Sequence, residues 1–323
     1  KTMEHIKPKK MMQVGVPIIS LLLITVYGLA LNYDKFNELR DVIHYSYKND
    51  WDNRKMENNN RPIMYTFFER KKLKNGDLAS QKELEFHQAM LAAWTTLWRE
   101  AGWQPIVLTM ADARKHRDFN KYSRKIIRLD KYLFEESYNY MCFMRWLAMA
   151  AQETGGWMCD YDTFPLGKLG NSNIDGYFLP NYGVFTSHER WVPSLLSGSA
   201  AEWNKMAVKI MEIAIGKIQY EKKKFYSDML ALMDLYSEDS SSYLMEHNVH
   251  SYPYKEVNKI ACNTTKNLYA VHLSHASTDQ AIQNGILTLP EDQNMEYYRS
   301  VFATELVGQW RKQCVPDDFK QVI

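Results

Sequence analysis

Apolar positions along this chain follow two periods in turn, and that alternation predicts an α/β order of elements. Pro62–Phe68 (PIMYTFF) is a β-branched and aromatic run that predicts a first strand. Over 81–101, Leu84, Leu91, Trp94 and Trp98 recur at spacings of seven, three and four, one buried stripe of a helix that Gly102 closes. Pro105–Thr109 (PIVLT) predicts a second, wholly apolar strand, so strand, helix and strand read as a βαβ unit. Helical stretches over 111–130 and 132–152 follow, and Gly155 can take the left-handed conformation that ends the second. Trp157–Cys159 predicts a third strand. Further strands are predicted at Tyr182–Thr186, Val192–Leu196 and Leu268–Leu273. Helix is predicted over Ser199–Ile218, with Ser199 as its cap, within 220–248 around a polar SEDSSS break, and over Tyr297–Gln313. Turn-rich loops fill 71–77 and 166–175. The expected fold class is α/β, a Rossmann-type mixed sheet flanked by helices.

Ahead of this domain, 11–31 carries no charged residue and reaches the length of about 20 apolar residues that spans a bilayer. It predicts a transmembrane anchor over 11–33, after a short cytoplasmic tail, 1–10, holding Lys1, Lys7, Lys9 and Lys10. A cleaved signal peptide is the competing reading, but the apolar run is long for one and no small-x-small site clearly follows it. Residues 34–61 read as a polar stem with a short helix over 36–47. The main domain then runs over 62–323, on the far side of the membrane, a type II arrangement facing the Golgi or endoplasmic-reticulum lumen if the source is eukaryotic.

Composition narrows the picture. A net charge of +2 over 323 residues excludes nucleic-acid binding driven by a broad basic field. No P-loop, GxGxxG, HExxH or GxSxG is present, so nucleotide-triphosphatase, zinc-protease and serine-nucleophile readings lack support. Of the four cysteines, Cys142 and Cys159 read as core positions of a helix and a strand, which leaves Cys262 and Cys314 as the preferred disulfide. Asn263-Thr264-Thr265 is an N-glycosylation sequon.

The chemistry concentrates in Gly155–Pro165, GGWMCDYDTFP. Asp160 and Asp162 fall at the carboxyl end of a predicted strand, where open α/β sheets bind ligands. Two carboxylates there are costly without a cation or a hydrogen-bond network. Strand alternation would point them to one side, and oxygen ligands suit Mn²⁺ or Mg²⁺ shared with a diphosphate.

The stretch RWLAMAAQETGGWMCDYDTFP resembles the sugar-binding region of DXD glycosyltransferases of family 32, which have the GT-A fold. Arg145, Gly155, Gly156, Trp157, Asp160 and Asp162 match its pattern of helix arginine, paired glycines, aromatic residue and Asp-x-Asp. Ala270–His275 (AVHLSH) resembles the late strand whose histidine completes the metal site in several GT-A enzymes, which makes His272 the third ligand beside Asp160 and Asp162. Cys142 stands where members of that family often carry an aspartate, three residues before the arginine. The resemblance implies retaining transfer of a sugar from a UDP- or GDP-sugar to a glycan or glycoconjugate acceptor. It implies Asp162 and Arg145 as catalytic residues, and Tyr65, Thr66, Phe67, Arg145, Gly156 and Asp160 as contacts of the nucleotide sugar.

Other features read more plainly. His275 is a weaker ligand candidate than His272, which extends the apolar strand directly. Asn171–Gly176 imitates the start of an EF-hand loop but has Tyr182 where glutamate is required, so it reads as a turn; Asp175 within it could face an acceptor. His188-Glu189-Arg190-Trp191 reads as a polar surface loop with one aromatic, open to an acceptor role. Trp94, Trp98 and Trp103 read as packing. Two rival functions stay open: a membrane-anchored sugar- or nucleotide-binding protein without catalysis, and a metal-dependent nucleotidyl- or phosphotransferase.

Overall fold

Strand β1 (Ile63–Phe67) shows how the sequence divides two cores. Tyr65 packs into the core on one face of the sheet and Met64 into the core on the other, the period-two alternation of a strand buried on both sides. The computed structural model describes residues 61–70, 81–129, 136–167, 178–221, 226–251, 262–285 and 295–314, all within the unit Asn60–Ile323. The anchor expected over 11–33, the stem up to residue 60 and the loops over 71–77 and 168–175 lie outside these residues. Among the described residues, no helix is long and apolar enough to cross a membrane.

The fold is mixed α/β. Helix α1 (Gln81–Glu100) links β1 to the parallel strand β2 (Gln104–Leu108). Helices α2 (Met110–Ala113), α3 (Phe119–Leu129) and α4 (Glu136–Ala150) lead to β3 (Gly156–Cys159), which is parallel to β1. After β4 (Thr163–Pro165), a 3₁₀ turn (Pro180–Gly183) precedes the antiparallel hairpin of β5 (Thr186–Glu189) and β6 (Val192–Gly198). Helices α5 (Ala200–Glu221) and α6 (Asp228–Glu238) and the short strand β7 (Leu244–Met245) follow. The six-stranded sheet has the order β2-β1-β3-β6-β5-β7, with β3 and β6 antiparallel.

A second sheet, β4-β9-β8, was not expected from the pattern. It uses β8 (Val249–Ser251) and β9 (Ala270–His272), with α7 (Cys262–Thr265) between them. Helices α8 (His275–Gln283) and α9 (Met295–Cys314) complete the described chain. The first core lies between the large sheet and α2–α6, around Trp146, Trp203 and Met158. The second gathers α1, α9 and the small sheet around Trp94, Trp98, Trp103 and Trp157. The three tryptophans read as packing are all almost fully buried. Cys262 and Cys314 form the expected disulfide.

Two segments differ from expectation. The strand predicted over Tyr182–Thr186 starts only at Thr186, because Asn181 and Tyr182 take left-handed φ of 54° and 58° between Pro180 and Gly183. His188 and Glu189, read as loop, are buried in β5, where each has polar partners that offset desolvation.

Gly155 fixes the approach to β3. Its φ is +66°, and a Cβ there would lie 2.4 Å from Ala200 N and 2.6 Å from Gly198 O, both backbone atoms. Gly155→Ala is therefore expected to destabilise the domain by about 2 kcal/mol or more. Gly285→Ala, at φ +67° with open space around it, is expected to cost about 1 kcal/mol. Urea-unfolding midpoints of the two variants check the difference; equal shifts would show that the backbone contact at Gly155 is relieved elsewhere.

Candidate functional site

The two aspartates converge through a turn rather than through strand alternation. β3 ends at Cys159, and Thr163 N donates to Asp160 O at 3.0 Å, folding Asp160–Asp162 back before β4 begins. Asp160 N donates to Ser194 O at 2.9 Å, so β6 still holds the first residue of the turn. The small sheet then brings the histidine in: β4 pairs antiparallel with β9, and Thr163 lies opposite His272. Leu273 N donates to Asp162 O at 2.9 Å. One ligand atom from each of Asp160, Asp162 and His272 lies within 4.8 Å of the others. His275, the weaker candidate, opens α8 and pairs with Asp279 at 3.0 Å.

Each aspartate is held by an arginine from a different layer. Arg145 of α4 donates Nη1 to Asp160 Oδ1. Its other edge is taken by Asp228 of α6, whose Oδ2 accepts from Arg145 Nε at 2.8 Å and Nη2 at 2.5 Å and from Trp146 Nε1 at 2.9 Å. From the opposite face, Arg299 of α9 donates to Asp162 Oδ2 and anchors itself on Leu273 O through Nε at 2.9 Å. His272 Nε2 lies 3.4 Å from Asp162 Oδ1, and its Nδ1 lies 2.8 Å from Glu189 Oε2. Glu189 in turn accepts from Ser194 and Ser251 hydroxyls.

These contacts set the charges. Burial alone would lower the His272 pKa, but Asp162 and Glu189 push it up to about 10, so the ring carries a proton at neutral pH. Burial raises the Asp162 carboxyl, yet His272 and Arg299 outweigh it and bring it down to about 2. For Asp160, burial outweighs the pull of Arg145 and lifts it to about 6. Two carboxylates and an imidazole form a donor set that fits Mn²⁺, with Mg²⁺ favouring oxygen alone. Ligation by His272 would require its proton to leave, and Glu189 is placed on the other ring nitrogen, the orienting position for a ligating histidine.

The remaining nucleotide-sugar candidates lie on β1 and β3, and the parallel register Tyr65↔Met158 carries Phe67 level with Asp160 at the same sheet edge. Tyr65 is buried in the first core, where desolvation raises its pKa and Thr154 hydrogen-bonds it. Its ring lies against Gly156, where a Cβ would sit 3.7 Å from Tyr65 Cε2, at the start of β3 rather than its acidic end. Thr66 is fully buried and Phe67 packs against the first core. Gly156 opens β3, and its carbonyl accepts from Trp203 Nε1 at 3.0 Å. Asp175 lies outside the described residues.

Two residues of the cluster, Asp228 and Arg299, escaped the sequence reading, and Glu189 enters it only as part of a polar loop open to an acceptor role. Only Asp228 had a sequence cue, because Ser227-Asp228 opens a helix as a cap and first-turn acid. It also bears on Cys142, one helical turn before Arg145, whose thiol is pushed up by burial and by the charge of Asp228. The carboxylate gripping Arg145 comes from α6 in space, not from position 142 in sequence. Residues 51–288 match the family described as Domain of unknown function (DUF8765), and the chain belongs to that family. No curated protein and no solved structure matches.

Two outcomes follow from these pairings. Asp228→Ala strips Arg145 of its buried partner and is expected to cost about 3 kcal/mol of stability; adding Cys142→Asp should restore part of it, and a double variant no more stable than the single would exclude that exchange. His272 has a raised folded pKa, so its contribution is complete below its unfolded value near 6.5 and is lost as pH rises through about 10. The stability gap between wild type and His272→Gln, measured by urea unfolding, should therefore shrink steadily from pH 6.5 to 10.

Proposed function

We propose that this DUF8765 chain is a metal-dependent glycosyltransferase of GT-A-like fold, anchored in a membrane through 11–33 with its domain in an oxidising lumen. One observation carries the reading. Asp160, Asp162 and His272 meet at the carboxyl edge of a parallel strand inside a mixed sheet, the place where such sheets bind ligands. The disulfide between Cys262 and Cys314 is consistent with an oxidising compartment.

In this reading a nucleotide sugar lies across the edge of β3. The oxygen of an acceptor hydroxyl bonds to the anomeric carbon, the bond from that carbon to the diphosphate breaks, and the hydroxyl proton leaves with the diphosphate or to solvent. A bound Mn²⁺ or Mg²⁺ would neutralise charge on the departing diphosphate. Asp160, Asp162 and His272 would hold it. Glu189 fixes the ring of His272, and Arg299 fixes Asp162 from behind. Arg145, clamped by Asp228 along one edge, presents Nη1 to the same spot, where a guanidinium suits phosphate or sugar oxygens.

A second reading is favoured by one specific feature. Both aspartates already have arginine partners and His272 has two acidic ones, which suits a protein that binds a nucleotide sugar without turning it over. Hydrolysis of UDP- and GDP-sugars with Mn²⁺, compared between wild type and Asp162→Asn, separates the two. Transfer chemistry predicts a fall of roughly 100-fold or more in the variant. Equal rates in two folded proteins would refute the mechanism, and binding of a nucleotide sugar without hydrolysis would favour the second reading.

A further inference from the structure

The turn joining β5 and β6 consists of Arg190 and Trp191, between the paired residues Glu189 and Val192. Arg190 has φ 55°, a left-handed conformation that glycine adopts freely and other residues only at a cost. A two-residue hairpin loop calls for such a φ at its first central residue. Arg190 is exposed and Trp191 is 36% exposed. Among the described residues, the Arg190 guanidinium has no ion pair or hydrogen bond and the Trp191 indole no ring partner or hydrogen bond. Neither side chain is thus tied down by a polar or ring contact among the described residues.

The position of the turn is fixed by the register. Cys159 pairs with Leu195, and Asp160 N donates to Ser194 O. Continuing that ladder carries β6 back past Val192, so the turn stands at the same sheet edge as the two aspartates. Glu189, the residue before it, reaches His272 with its carboxylate. The strand order places β1 on one side of β3 and β6, then β5, on the other. In the glycosyl-transfer reading the donor lies toward β1, and the β6–β5 side of the edge is assigned to the acceptor.

The geometry points to Arg190 and Trp191 as an acceptor subsite, with a pyranose ring of the acceptor glycan stacked on the indole of Trp191 and its hydroxyls hydrogen-bonded by Arg190. An indole face carries negative charge density that suits the C–H face of a sugar, and the planar guanidinium donates to several oxygens at once. The assignment rests on the glycosyl-transfer reading and names the acceptor side of that same site. The bond-forming step is the one already given: the hydroxyl oxygen of the stacked sugar attacks the anomeric carbon as the diphosphate leaves.

The test uses the full chain with Trp191→Ala, Trp191→Phe and Arg190→Ala, with Mn²⁺ and UDP- or GDP-sugars. Methyl glycosides of mannose, galactose, glucose and N-acetylglucosamine serve as acceptor probes. Trp191→Ala should raise the acceptor KM about tenfold or more, with kcat and calorimetric binding of Mn²⁺ plus nucleoside diphosphate little changed. Trp191→Phe should recover most of the loss, and Arg190→Ala should raise KM severalfold. An unchanged acceptor KM in Trp191→Ala overturns the subsite. So does a matching loss of nucleoside-diphosphate binding, or a loss confined to sedimentation with phosphatidylcholine–phosphatidylserine vesicles, which would mark a membrane contact. If wild type hydrolyses none of the donors, the glycosyl-transfer reading fails and the subsite falls with it; hydrolysis with unaltered transfer in the variants removes the subsite alone.

Discussion

Four carboxylates, those of Asp160, Asp162, Glu189 and Asp228, are drawn from water into one edge of the sheet, and the arrangement around them answers that cost. An isolated buried carboxylate is disfavoured by several kcal/mol, and the penalty is offset only when charge and hydrogen bonds meet it together. Here Arg145 spans Asp160 and Asp228, Arg299 takes Asp162, and His272 lies between Asp162 and Glu189. The partners come from α4, α6, α9, β5 and β9, so the same network fastens both helical layers and the small sheet to the end of β3. Packing sets where these elements lie, and the charges require that they all be present at once.

With His272 neutral, four carboxylates against two guanidiniums leave two negative charges, which a single divalent cation would cancel. Without a cation, the proton on His272 removes one of them. The high pKa of His272 and the fit of the cluster to a cation thus have one origin, an excess of negative charge that the fold does not neutralise by itself. Asp228 sharpens this balance. A carboxylate at position 142 in addition would crowd a third acid around Arg145, whereas the thiol of Cys142 adds no charge there.

What could be read from the sequence was local. The glycine pair, the strand and the two aspartates are contiguous, and Arg145 was named by the resemblance to family 32 glycosyltransferases. The disulfide was legible because the other two cysteines sit in apolar patterns. Arg299 gave no such signal: it is one of many helical arginines until α9 docks against Leu273 and Asp162. β5 was missed for a related reason. His188 and Glu189 are polar, and a pattern that equates polar with exposed fails where polar groups are buried with partners. Tyr65, an aromatic suited to stacking, is buried in the packing of the first core.

The bond between Cys262 and Cys314 ties α7 to the far end of the helix that delivers Arg299. Trp310 strengthens the tie by donating to Thr265 Oγ1 at 2.8 Å. In the order of synthesis, Asp162 emerges long before Arg299 and Cys314. Until α9 docks, the aspartate lacks its arginine partner and the second core lacks one wall. The site is therefore finished by the last described element of the chain, and a nascent domain with β3 already folded would still have an incomplete site. Completion of the fold and completion of the site coincide, so a partly made chain would hold the acids without the partners that offset their burial.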